Sequence, residues 1–191
     1  MKKTWVGFLC AAVIAVASIY GASWSGAYAA AQGAAKVITP HVYVSLDPVP
    51  RGREFQVAVV ADISSEYHMN SHKPTDAYLI PTTLTAEMPQ GFELLDTIYP
   101  DGHPEKFTFS PDKALDVYSG SVTLRLRLQA KATADLGTTT IPMTLRYQAC
   151  SQTTCLPPAK LPLQALFVTA PVGTAAREVH AEIFAALRPL R

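Results

Sequence analysis

The stretch from Ser121 to Gln129 alternates without a break. Val122, Leu124, Leu126 and Leu128 fall on one side, and Thr123, Arg125, Arg127 and Gln129 on the other. A period of two with one apolar and one wet side fits a strand of an antiparallel sheet packed on one face, and no helix satisfies it. The pattern recurs along the chain. Val42, Val44 and Leu46 share a side in His41–Leu46, as do Phe55, Val57, Val59 and Ala61 in Glu54–Ile63. Thr82–Glu87 and Phe92–Tyr99 are weaker strands, separated by the turn signal Met88-Pro89-Gln90-Gly91. Thr140–Cys150 and Lys160–Val168 complete the set. About seven or eight strands with Pro- and Gly-bearing turns predict an all-β fold, an immunoglobulin-like antiparallel β-sandwich, with a small barrel as the alternative. Fifteen prolines point the same way, towards short strands and irregular loops. One helical stretch remains. Thr174 is placed to cap a helix from Ala175 to Leu187, with Val179, Ile183, Phe184 and Leu187 on the face that packs back on the sandwich.

The N-terminus reads as an address. Met1-Lys2-Lys3, an apolar run from Trp5 to about Tyr20, and the small-x-small site Ala27-Tyr28-Ala29 are the parts of a secretory signal peptide. The apolar run is shorter than the ~20 residues of a spanning helix. Residues 1–29 are therefore expected to be cleaved, with an uncleaved anchor as the alternative, leaving a domain over 36–170 and a helical tail over 171–191. Cys10 and both tryptophans, Trp5 and Trp24, leave with the leader. So do Lys2 and Lys3, which leaves 14 basic against 15 acidic residues. That balance gives no electrostatic reason to expect nucleic acid or an anionic membrane as a partner. About 160 residues suit one domain with a real core, expected to be exported from the cytoplasm as a monomer.

Cys150-Ser-Gln-Thr-Thr-Cys155 holds the two cysteines that remain. Four intervening residues allow a hairpin-like turn that sets them across from each other, ~4.5–5.5 Å apart at Cα, within reach of a disulfide. In the preceding strand Ile141, Met143, Leu145, Tyr147 and Ala149 share the core parity, whereas Cys150 shares the parity of Thr144, Arg146 and Gln148. Continued alternation would place Cys150 on the wet face, open to a partner's thiolate. A structural bridge is the ordinary reading of cysteines in an exported chain. Against it, closing so small a loop removes on the order of 2 kcal/mol of chain entropy, compared with ~4 kcal/mol for a bridge across half a domain. The stabilising bridge of an immunoglobulin-like sandwich also joins distant strands over a buried Trp, and the mature chain has neither. Chemistry alone leaves redox activity and a structural staple level.

Three segments carry a resemblance. They are Arg146-Tyr147-Gln148-Ala149-Cys150 through Cys155-Leu156-Pro157-Pro158, Tyr67-His68-Met69-Asn70-Ser71-His72-Lys73-Pro74 through Leu79-Ile80-Pro81-Thr82, and Tyr99-Pro100 through Phe107-Thr108-Phe109-Ser110 to Val117-Tyr118-Ser119-Gly120. Over roughly residues 38–169 the chain resembles the N-terminal periplasmic domain of the bacterial thiol:disulfide interchange protein DsbD. The cysteine segment is the most specific of the three. The resemblance implies an immunoglobulin-like domain whose reversible disulfide relays electrons to oxidised periplasmic proteins, in the setting of cytochrome c biogenesis among others. By motif match Cys155 exchanges with partner disulfides and Cys150 resolves. Phe107 or Phe109 matches an aromatic that shields the pair, and His68 and Asn70 match positions beside it. Known members carry one more residue between the cysteines. A membrane electron carrier and a thioredoxin-like domain normally follow in the same chain. Here the partners are expected to be separate: thioredoxin-like periplasmic proteins and a membrane electron carrier.

Other chemistries are poorly supported. The histidines His68, His72 and His103 lack the close ligand pairs of a zinc site and read as loop hydrogen-bonders, so no metal or cofactor is expected. Asp76, Glu105, Asp112 and Asp116 look scattered, and Arg125, Arg127 and Arg146 read as a solvated sheet face. No phosphate-binding glycine loop and no serine-nucleophile motif is present. The alternative from a different class is a non-catalytic binding domain whose disulfide is structural.

Overall fold

The computed structural model describes residues 37–185. The proposed leader and its anchor alternative lie outside them. In chain order the strands are β1 (Ile38–Val44), β2 (Leu46–Asp47), β3 (Val49–Pro50), β4 (Glu54–Ile63), β5 (His68–Asn70), β6 (Thr83–Ala86) and β7 (Phe92–Ile98). There follow β8 (His103–Phe107), β9 (Ser110–Tyr118), β10 (Ser121–Ala130), β11 (Gly137–Tyr147), β12 (Ala149–Cys150), β13 (Ala159–Ala170) and β14 (Arg177–Glu178), and a short helix α1 (Ala181–Ala185).

Alternation decides the main sheet. β10 pairs antiparallel with β4 so that Val122, Leu124, Leu126 and Leu128 stand opposite Ala61, Val59, Val57 and Phe55, all buried. β1 and β7 flank them, giving the order β1-β4-β10-β7. The facing sheet, β3-β13-β11-β6, contributes Ile141, Met143, Leu145, Ala165 and Phe167 to the same core. Phe55 and Phe167 meet edge to face across the layers with ring centroids 5.2 Å apart. This is an immunoglobulin-like antiparallel β-sandwich. The expected turn before β7 forms as well. Phe92 N–H donates to Pro89 C=O at 3.1 Å, and Gly91 takes φ +83° against the backbone of Ala134, where no side chain fits.

A third sheet, β12-β5-β9-β8, sits at one end of the sandwich. Its outer half is a hairpin, β8 and β9, joined by Thr108 and Phe109. It encloses a small apolar cluster of its own, Leu79, Phe107, Leu115 and Val117, separate from the main core.

The C-terminal segment departs from expectation. The helix starts at Ala181, not Ala175, and Thr174 lies in a turn, donating its N–H to Pro171 C=O. The edge of β2 captures the intervening residues: Arg177 and Glu178 pair with Asp47 and Leu46, and Arg177 Nη2 lies 2.8 Å from Asp47 Oδ2. Helix formation then waits for His180, at φ +56°. The tail nonetheless folds back on the sandwich. Phe184 C=O accepts a hydrogen bond from Arg125 Nη1 at 2.9 Å. Arg125 is consequently buried at 2% exposure, while Arg127 remains in solvent, which corrects the expectation of a uniformly solvated arginine face. Burial also lowers the pKa of the Arg125 guanidinium.

Candidate functional site: the cysteine turn under the β8–β9 hairpin

β11 runs in register with β13 as far as Tyr147, opposite Ala159. At Gln148 the chain leaves that sheet. Ala149 and Cys150 pair instead with Met69 and His68 of β5. The interruption shifts the side-chain phase, so Ala149 and Cys150 are both buried, Cys150 at 3% exposure. Cys150 is therefore not on the wet face, because the alternation that would place it there stops two residues earlier. Cys155 is partly exposed and faces Cys150 across an isolated antiparallel bridge. Their sulfurs are bonded at 2.05 Å with the Cα atoms 3.9 Å apart, closer than an ordinary cross-strand pair. Between them the turn is tight. Ser151 N–H donates to Thr154 C=O at 2.8 Å, and Ser151 Oγ accepts from the N–H groups of Thr153 and Thr154.

Two polar groups fix the base of this turn. Asn70, 1% exposed, donates through Nδ2 to Ile80 C=O at 3.0 Å and to Gln148 Oε1 at 3.3 Å. Gln148 Nε2 in turn donates to Leu156 C=O at 3.1 Å, just past the second cysteine. Tyr147 lies in the main core, and its burial pushes the phenol pKa up to about 12.

The hairpin closes over the turn. Thr108 at its tip donates through N–H and Oγ1 to Gln152 C=O, at 3.2 and 2.5 Å, and Gln152 Nε2 donates to Glu105 Oε1 at 3.1 Å. Glu105 Oε2 lies 2.9 Å from His68 Nε2 and 3.4 Å from His103 Nε2. Both imidazoles meet one carboxylate oxygen. Among the described residues no group of three His, Cys, Asp or Glu side chains is placed to hold a metal. Phe107 points inward, 2% exposed and edge-on to His68 at 5.3 Å, whereas Phe109 stacks on it from the exposed tip at 5.1 Å. His72 stands apart, stacked on Tyr99 at 3.6 Å with Nδ1 at Thr82 C=O.

The structure thus brings His68, Asn70, Phe107 and both cysteines to one end of the molecule. Glu105, Thr108 and Gln152 belong to the same constellation and were missed in the sequence. No periodicity marks them there, since β8 and β9 shift register between Glu105 and Phe107, and the three residues come together only through the hairpin.

The profile of the family described as thiol:disulfide interchange protein DsbD, N-terminal, matches residues 34–164. The chain belongs to this family. Among solved structures it is similar to the DsbD N-terminal domain of Neisseria meningitidis in the reduced form, with 17% identity, 75% of this chain and 91% of that one covered, and a TM-score of 0.43. It is similar also to the N-terminal periplasmic domain of ScsB from Proteus mirabilis, at 13% identity over 65% of this chain and 45% of that one, with a TM-score of 0.45. A third is the complex between the DsbD N-terminal and PilB N-terminal domains from Neisseria meningitidis, at 15% identity, 64% and 80% coverage and a TM-score of 0.38. No curated protein matches the chain.

Proposed function

We propose that this DsbD N-terminal family member is a periplasmic thiol:disulfide exchange module. It passes electrons from a reductant to oxidised envelope proteins through a reversible Cys150–Cys155 disulfide. The observation that carries this reading is the placement of the bridge. It closes a turn five residues long in sequence separation, at the end of the molecule, and ties no strand of one main sheet to a strand of the other. Such a bridge contributes on the order of 2 kcal/mol at most through chain entropy. The burial of Cys150 is what a staple would show, but it equally suits a resolving cysteine, which needs to reach only its neighbour. Cys155, the more exposed sulfur, attacks the partner disulfide; Cys150 then attacks the mixed disulfide and releases the reduced partner. The hairpin carrying Phe107 and Phe109 shields the pair until a partner displaces it.

The partners of this reading are thioredoxin-like periplasmic proteins and a separate membrane electron carrier, with the module acting as a monomer. Among the described residues no helix is long and apolar enough to cross a membrane. Among the described residues no helix N-terminus stands at either cysteine to favour the thiolate, so exchange with small thiols should be slow and docking of a specific partner should dominate the rate. Equilibration with dithiothreitol buffers, with a thermal melt of each redox form, tests the proposal. A reduction potential above about −300 mV is expected, with a melting temperature lowered by only a few degrees on reduction. A potential well below that value, together with a large loss of stability, would make the bridge a staple.

A further inference from the structure

His68 is the cross-strand partner of Cys150 in the β5–β12 pair, so the two side chains leave the sheet on the same face. Directly paired residues hold their Cβ atoms ~4.5–5.5 Å apart. The imidazole is largely enclosed, with 12% of the side chain exposed and the edge-on contact with Phe107 on one side. Its Nε2 lies 2.9 Å from Glu105 Oε2. A carboxylate only accepts, so the proton of a neutral imidazole sits on Nε2 and the lone pair on Nδ1. That Nδ1 is buried and makes no hydrogen bond. Buried polar atoms without a partner are few in native proteins, and each asks for a reason. The redox state supplies one. In the disulfide Cys150 Sγ has no proton to offer; in the dithiol it has one, on the same face of the same strand pair.

We infer that His68 Nδ1 is the proton acceptor for the Cys150 thiol in the resolving step, and that Glu105 positions the imidazole for it. This rests on the reading above, in which Cys155 attacks and Cys150 resolves. A buried thiol without a helix N-terminus holds its proton, yet only the thiolate is a nucleophile. The dithiol reacts first through Cys155, whose thiolate forms a bond to one sulfur of the partner disulfide and expels the other as a thiolate. Cys150 Sγ–H then gives its proton to His68 Nδ1 and attacks Cys155 Sγ. The Cys155–partner bond breaks, the second partner sulfur leaves with the electron pair, and the imidazolium returns the proton to it or to water. The module is oxidised by two electrons and the partner disulfide is reduced by two. Glu105 faces the imidazolium as its counter-charge. The other ionisable groups recorded around it are His103, on the same carboxylate oxygen, and the cysteine pair itself.

Stopped-flow mixing of the reduced protein with dithiobis-nitrobenzoate separates the two steps, because each releases one coloured thiolate. The first equivalent reports attack by Cys155 and the second reports resolution by Cys150. In His68→Gln the second phase should be about 100-fold slower near neutral pH, the contribution of a positioned base. Its dependence on pH should also differ from the parent's, because the base that takes the thiol proton is gone. The first phase should be unchanged or faster, since loss of the contact with Phe107 loosens the hairpin. Glu105→Gln should slow the second phase by about ten-fold, less than loss of the base itself. His68→Phe keeps a ring against Phe107 and removes only the nitrogens, so it should match His68→Gln. A second phase in His68→Gln within about three-fold of the parent, with the same pH profile, overturns the inference. So does slowing in His68→Gln but not in His68→Phe, which would trace the effect to packing. The underlying reading fails separately: Cys150→Ala should release one equivalent only, and release of none would remove Cys155 as the attacking thiol.

Discussion

At the scale of single residues, the two cysteines have unequal surroundings, and the proposed division of roles rests on that inequality. Cys150 is enclosed beside β5, while Cys155 lies at the partly open end of the turn. A Cys150→Ala variant expressed in the cell envelope should accumulate mixed disulfides through Cys155, detectable as thiol-sensitive bands on a non-reducing gel. Cys155→Ala should accumulate few. The reverse pattern would exchange the two roles. The identity of this pair was legible in the sequence, because cysteines are rare and their spacing is explicit. The burial of Cys150 was not. Parity holds only while a strand stays in one sheet, and Gln148 is where this one changes partner. Nothing about a glutamine announces such a change. It is fixed by Asn70, 78 residues away, whose side chain meets Gln148 Oε1. Glu105 was hidden for the same reason: its neighbours His68 and Gln152 are remote in sequence and join it only through the hairpin.

At the scale of elements, the β8–β9 hairpin is the part most able to move independently. Its own buried apolar cluster is small, Leu79, Phe107, Leu115 and Val117, with Tyr118 at its base joining the main core, and its tip is held on the cysteine turn by the polar pins of Thr108 and Glu105 to Gln152. Removing the Phe107 ring takes away ~3–5 kcal/mol of packing. Because that cluster is separate from the main core, the loss should open the hairpin and leave the sandwich folded. Phe107→Ala should therefore speed reduction of the disulfide by dithiothreitol by about ten-fold or more, with faster amide exchange confined to residues 103–118. Phe109, 40% exposed, should tolerate alanine with little change in either measurement. Equal acceleration in both variants would mean that Phe107 is not the shield. The hairpin was hard to read because His103-Pro104-Glu105-Lys106-Phe107 offers one inward apolar residue, too few for a period. The core faces of β4 and β10 were legible because their apolar residues alternate without a break, whereas the burial of Arg125, Ala58 and Val60 on the other face was not. The C-terminal helix was over-read for a related reason: helical spacing cannot foresee that the open edge of β2 will claim Arg177 and Glu178.

At the scale of the whole molecule, the cysteine turn and the main core are largely separate. The main core is built by two sheets that meet through Phe55, Phe167 and the aliphatic faces of β4, β10 and β11, and the cysteine turn hangs from their end. Tyrosines connect the two regions. Tyr147 closes β11 before the turn, and Tyr118 and Tyr99 hydrogen-bond around the base of the third sheet, through Pro100 C=O and the Leu84 N–H. Burial raises the pKa of all three phenols, Tyr147 to about 12. A raised pKa means that the folded state holds the phenolic proton more tightly than the unfolded chain, where it leaves near ~10. The stabilisation from these groups is complete below about pH 10 and is lost above it, for Tyr147 as pH rises towards about 12. The melting temperature should accordingly vary little with these groups between about pH 7 and 9 and fall steeply above about pH 10. Tyr147→Phe starts from a different stability at neutral pH, but its alkaline fall should be shallower, because one proton linkage has been removed. An unchanged slope in that variant would move the alkaline transition away from Tyr147 and onto the third sheet, where Tyr99→Phe and Tyr118→Phe would then have to account for it.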